Sequence, residues 1–216
     1  MNLKMLKATV AGLVLSVSCF ANAGLIIQAD SVTTNMGEYS ATYLANDAID
    51  QSGLSIGYTS GVSDFDTYLS LNPTHIADSN TWFSSVGVSS GYFDLSLGGM
   101  FNISSLALWN ESQTSGQGVN TFNLYAANNI DFNASTLLGS FAAIEGTQTA
   151  QVFNFSNTLA SHFRIEVLSN HGSSCCTGIM EIAFEKSVTD VPEPSTLAIL
   201  ALGVMGLTSR RFKKQA

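Results

Sequence analysis

Positive charge is what this chain lacks most. Its 216 residues hold 8 Lys and Arg against 16 Asp and Glu, and six of those eight cations sit near the two ends. Only Arg164 and Lys186 remain in residues 24–190, beside fifteen acids, so this span carries −13. A surface of that sign repels nucleic acid and anionic lipid, which excludes both as partners of the middle region. Neutral glycans and divalent cations fit it better. Cysteine is nearly absent as well: Cys19 lies in the leader, and the adjacent pair Cys175-Cys176 is all that follows, so no disulfide framework is available. No apolar run reaches the ~20 residues of an ordinary membrane-spanning helix.

The ends carry legible signals. Residues 1–23 read as a secretory signal, with Lys4 and Lys7, an apolar core over 8–17, and Ala21-Asn22-Ala23 as a small-residue cleavage site. Export through a Sec translocon and removal by signal peptidase would leave a chain starting at Gly24. At the other end, "VPEPSTLAILALGVMGLTSRRFKKQA" places Pro192-Glu193-Pro194 before a short apolar stretch (197–208) and then Arg210, Arg211, Lys213 and Lys214. The prolines predict an extended segment, and the basic stub predicts a cytoplasmic stop for a short transmembrane helix.

Between them, residues 24–190 are long enough for one domain with its own core. Helical periodicity is scarce and period-two alternation recurs: in "HFRIEVLSN", Phe163, Ile165 and Val167 share one face while Arg164 and Glu166 share the other. "AQVFNFSN", "GYFDLSLGG", "ISSLALWN", "VNTFNLYAANN" and "TGIMEIAFE" behave similarly, and Gly, Asn and Ser clusters separate them. The pattern predicts an all-β fold, an antiparallel β-sandwich. Residues 51–79, rich in Gly, Ser and Asp with Pro73, lack alternation and read as a long loop or insertion.

Two resemblances bear on these segments. The last 26 residues resemble the PEP-CTERM sorting segment of exported bacterial proteins. That family implies processing by an exosortase and delivery to a cell surface or an exopolysaccharide-rich matrix, with transient anchoring in the membrane. The middle region resembles discoidin-like, galactose-binding-like domains through Ala48-Ile49-Asp50, Thr81-Trp82, Phe93-Asp94-Leu95 and the closing strand 178–184 with Glu181. Gln51 stands where that family has glycine. The resemblance implies an eight-stranded jelly roll and one structural Ca²⁺, for which Asp47, Asp50 and Glu181 are the candidate ligands.

Four readings compete for the vicinal cysteines: a strained internal Cys175–Cys176 bridge, free buried thiols, bonds to another molecule, or a soft-metal site with His171. For ligand binding, the aromatic and polar residues in or beside the insertion are the candidates: Tyr58, Tyr68, His75 and Trp82, with Trp109 at a second turn. Trp82 is also a family landmark expected in the core. Gly53-Leu54-Ser55-Ile56-Gly57 matches G-x-S-x-G, but the strand entering and the helix leaving a nucleophile elbow are missing from the pattern. The expectation is an exported, surface-sorted β-sandwich that binds carbohydrate or exopolysaccharide and is not an enzyme. An adhesive matrix protein without a small-molecule site is the alternative, and a secreted hydrolase the least supported one.

Overall fold

The computed structural model describes residues 24–76 and 79–187. The leader 1–23 and the sorting segment 191–216, with Pro192, Glu193, Pro194, Arg210, Arg211 and the short transmembrane helix expected there, lie outside the described residues. Among those described, no helix is long and apolar enough to cross a membrane.

The alternating segments form the strands expected of them, but four of them fuse in pairs. "GYFDLSLGG" and "ISSLALWN" are one strand, β4 (Gly91–Asn110), and "AQVFNFSN" and "HFRIEVLSN" are another, β7 (Gln151–Asn170). Around them run β1 (Leu25–Ile27), β2 (Ser31–Thr34), β3 (Trp82–Phe83), β5 (Val119–Ala127), β6 (Thr136–Ala142) and β8 (Gly178–Lys186). All strand pairings are antiparallel.

Both long strands serve two layers. The first part of β4 (91–96) pairs with β2 and with the second part of β7 (162–167), which continues to β5 and β6. The second part of β4 (101–110) pairs with the first part of β7 and with β8, which in turn carries β1 and β3. The register breaks between Ser96 and Phe101, where Gly98 takes a φ of +67° beside the Asp30 side chain. A glycine there lets the strand bend without a Cβ penalty.

Phe93, Leu95, Phe122, Leu124, Phe163 and Ile165 from the first layer meet Ile103, Leu106, Leu108, Ile179, Ile182 and Phe184 from the second in one apolar core. Phe163 and Phe184 pack across the layers with ring centroids 4.7 Å apart. This is the discoidin-like β-sandwich of the sequence reading.

The stretch 51–79, read as a long loop or insertion, carries ordered structure. Its described part holds a helix, α1 (Phe65–Ser70), capped by the Asp64 side chain, which accepts from the Thr67 N–H at 2.7 Å. Leu54, Tyr58, Phe65, Tyr68 and Leu69 lie on Ile26, Ala107, Trp109, Met180 and Ala183, forming a second apolar cluster on the outer face of the β8 layer. Bridges Leu25↔Asp64, Leu54↔His75 and Thr74↔Thr149 fasten the stretch to the sandwich. Alternation is invisible here because the segment folds as a cover, held by isolated apolar anchors. Strand β8 is consequently buried on both faces from Gly178 to Phe184.

Candidate functional site

The cover decides the fate of the aromatic residues nominated for ligand binding. His75, Trp82 and Trp109 are fully buried, and Tyr58 and Tyr68 are 8% and 5% exposed. Their polar atoms face inward: Tyr68 Oη donates to the Ile56 carbonyl (2.6 Å), Trp109 Nε1 to Pro73 (2.9 Å) and Trp82 Nε1 to Gly37 (3.0 Å). Tyr58, Tyr68 and Trp109 stack in series beneath the cover, with centroids 5.4 and 6.4 Å apart. These five side chains fasten structure and present no face to a ligand, which corrects the reading of Tyr58, Tyr68, His75 and Trp109 as a binding platform and agrees with the core position expected of Trp82. Placing aromatic residues in an unpatterned stretch suggested exposure, whereas here they are the anchors that fold it.

The carboxylates nominated for a cation are only partly gathered. Among the described residues no group of three or more His, Cys, Asp or Glu side chains is close enough to hold a metal. Asp47 Oδ2 accepts the Leu44 N–H (2.7 Å), and Asp50 Oδ1 accepts the Ser52 N–H (2.7 Å). Glu181 is fully buried beneath the cover; its Oε2 accepts the Gln51 N–H (2.9 Å), while its Oε1 and the Tyr58 hydroxyl make no hydrogen bond of good geometry. Burial, and then the Asp50 charge, hold the Glu181 carboxyl well above the usual carboxylate range. Burial likewise raises Asp47 and lowers His75, whose ring nitrogens lie near the backbone of Ser52 and Ile76 without a hydrogen bond of good geometry. Ser55 sits in the cover with its hydroxyl accepting the Thr74 N–H (2.9 Å), and the segment around it forms neither the strand nor the helix of a nucleophile elbow.

An open groove of about 200 Å³ lies elsewhere, where three connections meet the end of β3. Tyr39, Tyr43 and Phe83 form one wall; Thr114 and Gln117, and the bridged pair Cys175–Cys176, complete it. The rings step edge-on along the wall, Tyr39 to Tyr43 at 5.9 Å and Tyr43 to Phe83 at 5.3 Å between centroids. Tyr39 is 47% exposed, and Tyr43 and Phe83 are half-buried, which leaves ring surface available.

The groove is built on fixed backbone. Tyr39 N–H donates to the Phe83 carbonyl (2.8 Å), Ser84 N–H to Thr177 (2.9 Å), and Gly178 N–H to Gln117 (2.8 Å). Asn170, at the end of β7, holds the cysteine loop by donating to the carbonyls of Ser173 (2.9 Å) and Cys176 (3.0 Å). His171, considered with the cysteines as a metal ligand, bonds the Ala143 carbonyl through Nε2 at 3.0 Å instead. Sequence reasoning missed Tyr39 and Tyr43. Their signal was faint: two tyrosines four apart in "GEYSATYLAND", ahead of the Asp47 to Asp50 loop, in a stretch otherwise small and polar.

A two-layer antiparallel sandwich with a ligand-sized groove between its end loops defines a discoidin-like domain. The Sad1/UNC-like C-terminal family matches residues 70–183, more than half of the chain, and the chain belongs to that family. The PEP-CTERM protein-sorting motif matches residues 190–214 and marks an exported chain.

Among solved structures the fold is similar to the CBM32-1 and CBM32-2 domains of Clostridium perfringens ZmpB in complex with GalNAc. That match has 11% identity and a TM-score of 0.53, covering 74% of this chain and 33% of that one. It is also similar to the family 32 CBM of C. perfringens NanJ in complex with galactose, at 14% identity and TM-score 0.51, over 75% and 100% of the two chains. CBM32-1 from a family 31 glycoside hydrolase of C. perfringens matches at 15% and 0.52, over 74% and 96%. The chain thus spans a third of the first protein and nearly all of the other two. No curated protein matches the chain by sequence.

Proposed function

We propose that this is an exported surface or matrix protein whose sandwich binds carbohydrate in the groove between Tyr43, Phe83 and Cys175–Cys176, without catalysing a reaction. The observation that carries the reading is the wall of edge-on aromatic rings set beside hydrogen-bonding side chains. Sugars offer apolar C–H faces and a rim of hydroxyls, and aromatic surface next to amide and hydroxyl groups complements both. That the similar NanJ and ZmpB modules were solved with galactose and GalNAc agrees with this. Delivery would use the sorting motif, with an exosortase-type enzyme as its processing partner and extracellular polysaccharide as the neighbouring polymer. Glycan-array binding by the exported protein, compared with Tyr43→Ala, tests the reading. Binding to a discrete set of glycans that Tyr43→Ala loses supports it; silence across the array favours a purely structural role in the matrix.

A calcium ion is proposed for the loop of Asp50 and the buried Glu181. A buried carboxylate oxygen beside the Tyr58 hydroxyl but without a hydrogen bond of good geometry, next to a second carboxylate, is what a hard cation would satisfy. Neither cation among the described residues serves instead: Arg164 is paired with Asp94, and Lys186 lies over the Phe101 ring. Asp47, the third nominated ligand, accepts the Leu44 N–H through one oxygen, as Asp50 accepts that of Ser52 and Glu181 that of Gln51. Thermal-shift titration with millimolar Ca²⁺ tests the site: wild type should be stabilised and Glu181→Gln should not respond.

A further inference from the structure

We propose that the Cys175–Cys176 ring is itself a ligand-contacting face of the groove, that the groove accepts an uncharged sugar, and that opening the ring by reduction weakens binding. This rests on the carbohydrate reading above and adds to it the ligand's charge class, the contact surface and its control.

The charge class follows from the lining. The lining of Tyr39, Tyr43, Phe83, Thr114, Gln117, Cys175 and Cys176 includes no Asp, Glu, Lys, Arg or His. The two cations among the described residues are engaged away from the groove: Arg164 holds Asp94 through two bonds of 2.6 and 2.7 Å between the Tyr92 and Phe132 rings, and Lys186 lies over Phe101. A uronate or sulfated sugar would enter a domain of −13 with no countercharge in the site. A neutral hexose or N-acetylhexosamine meets no such repulsion, and Thr114, Gln117 and the tyrosine hydroxyls can serve its hydroxyls. The volume of about 200 Å³ is below the ~300 Å³ at which drug-sized pockets begin, so the occupant is a short or terminal unit.

The role of the ring follows from its position. It lines the same groove as Tyr39, Tyr43 and Phe83, and a disulfide is a polarisable, apolar surface that makes no competing hydrogen bond. The backbone on either side is independently held: Gly87 N–H donates to the Cys175 carbonyl (2.5 Å), Asn170 to that of Cys176 (3.0 Å), and Cys175 N–H to Ser173 Oγ (3.1 Å). Opening the ring therefore changes the groove surface with little change to the fold. A dithiol reductant supplies two electrons and two protons; the Sγ–Sγ bond breaks, two thiols form, and the reductant leaves as its own disulfide. The freed side chains then rotate, and a ligand must immobilise both of them again.

Calorimetric titration of the full exported chain, oxidised and after dithiothreitol, with neutral oligosaccharides and with a uronate oligomer, tests this. The oxidised protein should bind a neutral sugar, the reduced protein should bind it at least fivefold more weakly with an unchanged far-ultraviolet spectrum, and neither should bind the uronate. On the wild-type chain alone, saturating sugar should slow reduction of the bridge at least fivefold, a readout that needs no variant. Equal affinity in both redox states, or reduction unaffected by sugar, overturns the role of the ring and leaves carbohydrate binding standing. Uronate bound as tightly as neutral sugar overturns the charge assignment. No binding of any sugar by the oxidised protein overturns the carbohydrate reading itself.

Discussion

The backbone N–H of Gln51 donates to the Glu181 carboxylate at 2.9 Å, across 130 positions of sequence, and so joins the first loop to the closing strand. Gln51 has a φ of +65°, the left-handed region in which the discoidin-like pattern has its glycine. Its side chain compensates: Nε2 donates to Gln28 Oε1 (2.9 Å), and Oε1 accepts the Tyr58 N–H (2.8 Å). The departure from the family pattern thus exchanges glycine's conformational freedom for two hydrogen bonds that tie the cover to the sandwich.

Gln51→Ala should lose both bonds and keep the backbone penalty, costing about 1–3 kcal/mol in urea unfolding. Gln51→Gly should cost less than alanine, because glycine relieves the φ of +65°. Equal losses for the two variants would show that the side-chain bonds alone matter.

Stability should depend on pH through Glu181. Its carboxyl is raised in the fold above the ordinary 4.5, so the folded state holds a proton that the unfolded chain releases. The resulting stabilisation is fully present below about 4.5 and is lost as pH climbs toward the raised value. The stability difference, wild type minus Glu181→Gln, should therefore fall as pH rises. His75, lowered in the fold, acts with the opposite sign and is common to both proteins, so the difference removes it. A flat difference in calcium-free buffer contradicts the burial argument.

Gly178 links packing to the groove. A Cβ at this position would lie 2.6 Å from the Phe83 ring and 2.8 Å from Glu111 Cγ. Gly178→Ala should destabilise by about 1–3 kcal/mol, and by displacing Phe83 it should weaken sugar binding severalfold in calorimetry. Unchanged affinity would mean that Phe83 is not a contact.

Arg164 should resist conservative replacement. Its guanidinium grips Asp94 with two bonds while lying 4.2 Å from the Tyr92 centroid and 4.3 Å from that of Phe132. Arg164→Ala should cost about 1–2 kcal/mol in denaturant unfolding, after allowance for its partial exposure. Lysine should recover less than half, since an ammonium cannot make both bonds or stack. Full recovery by lysine would reduce the site to a single charge contact.

The sequence disclosed much of the sandwich because its strands face apolar core on one side and solvent on the other, as in 162–167, where Phe163 and Ile165 are buried and Arg164 and Glu166 are not. It did not disclose that β4 and β7 run through their Gly98-Gly99 and Ser156-Asn157 interruptions, because a bend in a long strand and a turn between two strands share the same residues. The cover was hidden for a related reason: Phe65 and Tyr68 are three apart, a helical spacing, but α1 is only six residues long, too short to show a period, and only the outer face of β8 gives them and Tyr58 a destination. Adjacent cysteines could be seen; that they line one groove with Tyr43 and Phe83 could not, since the groove is assembled from segments distant in sequence.

The central claim is that recognition lies in the groove and not under the cover. The direct test is calorimetric titration of the exported protein with the neutral glycan it binds, comparing Tyr43→Ala and Phe83→Ala with Tyr68→Phe. The groove variants should lose at least tenfold in affinity, while Tyr68→Phe, altered only in a hydroxyl buried against Ile56, should bind as wild type does. Affinity lost at Tyr68 and retained at Tyr43 and Phe83 would contradict the account.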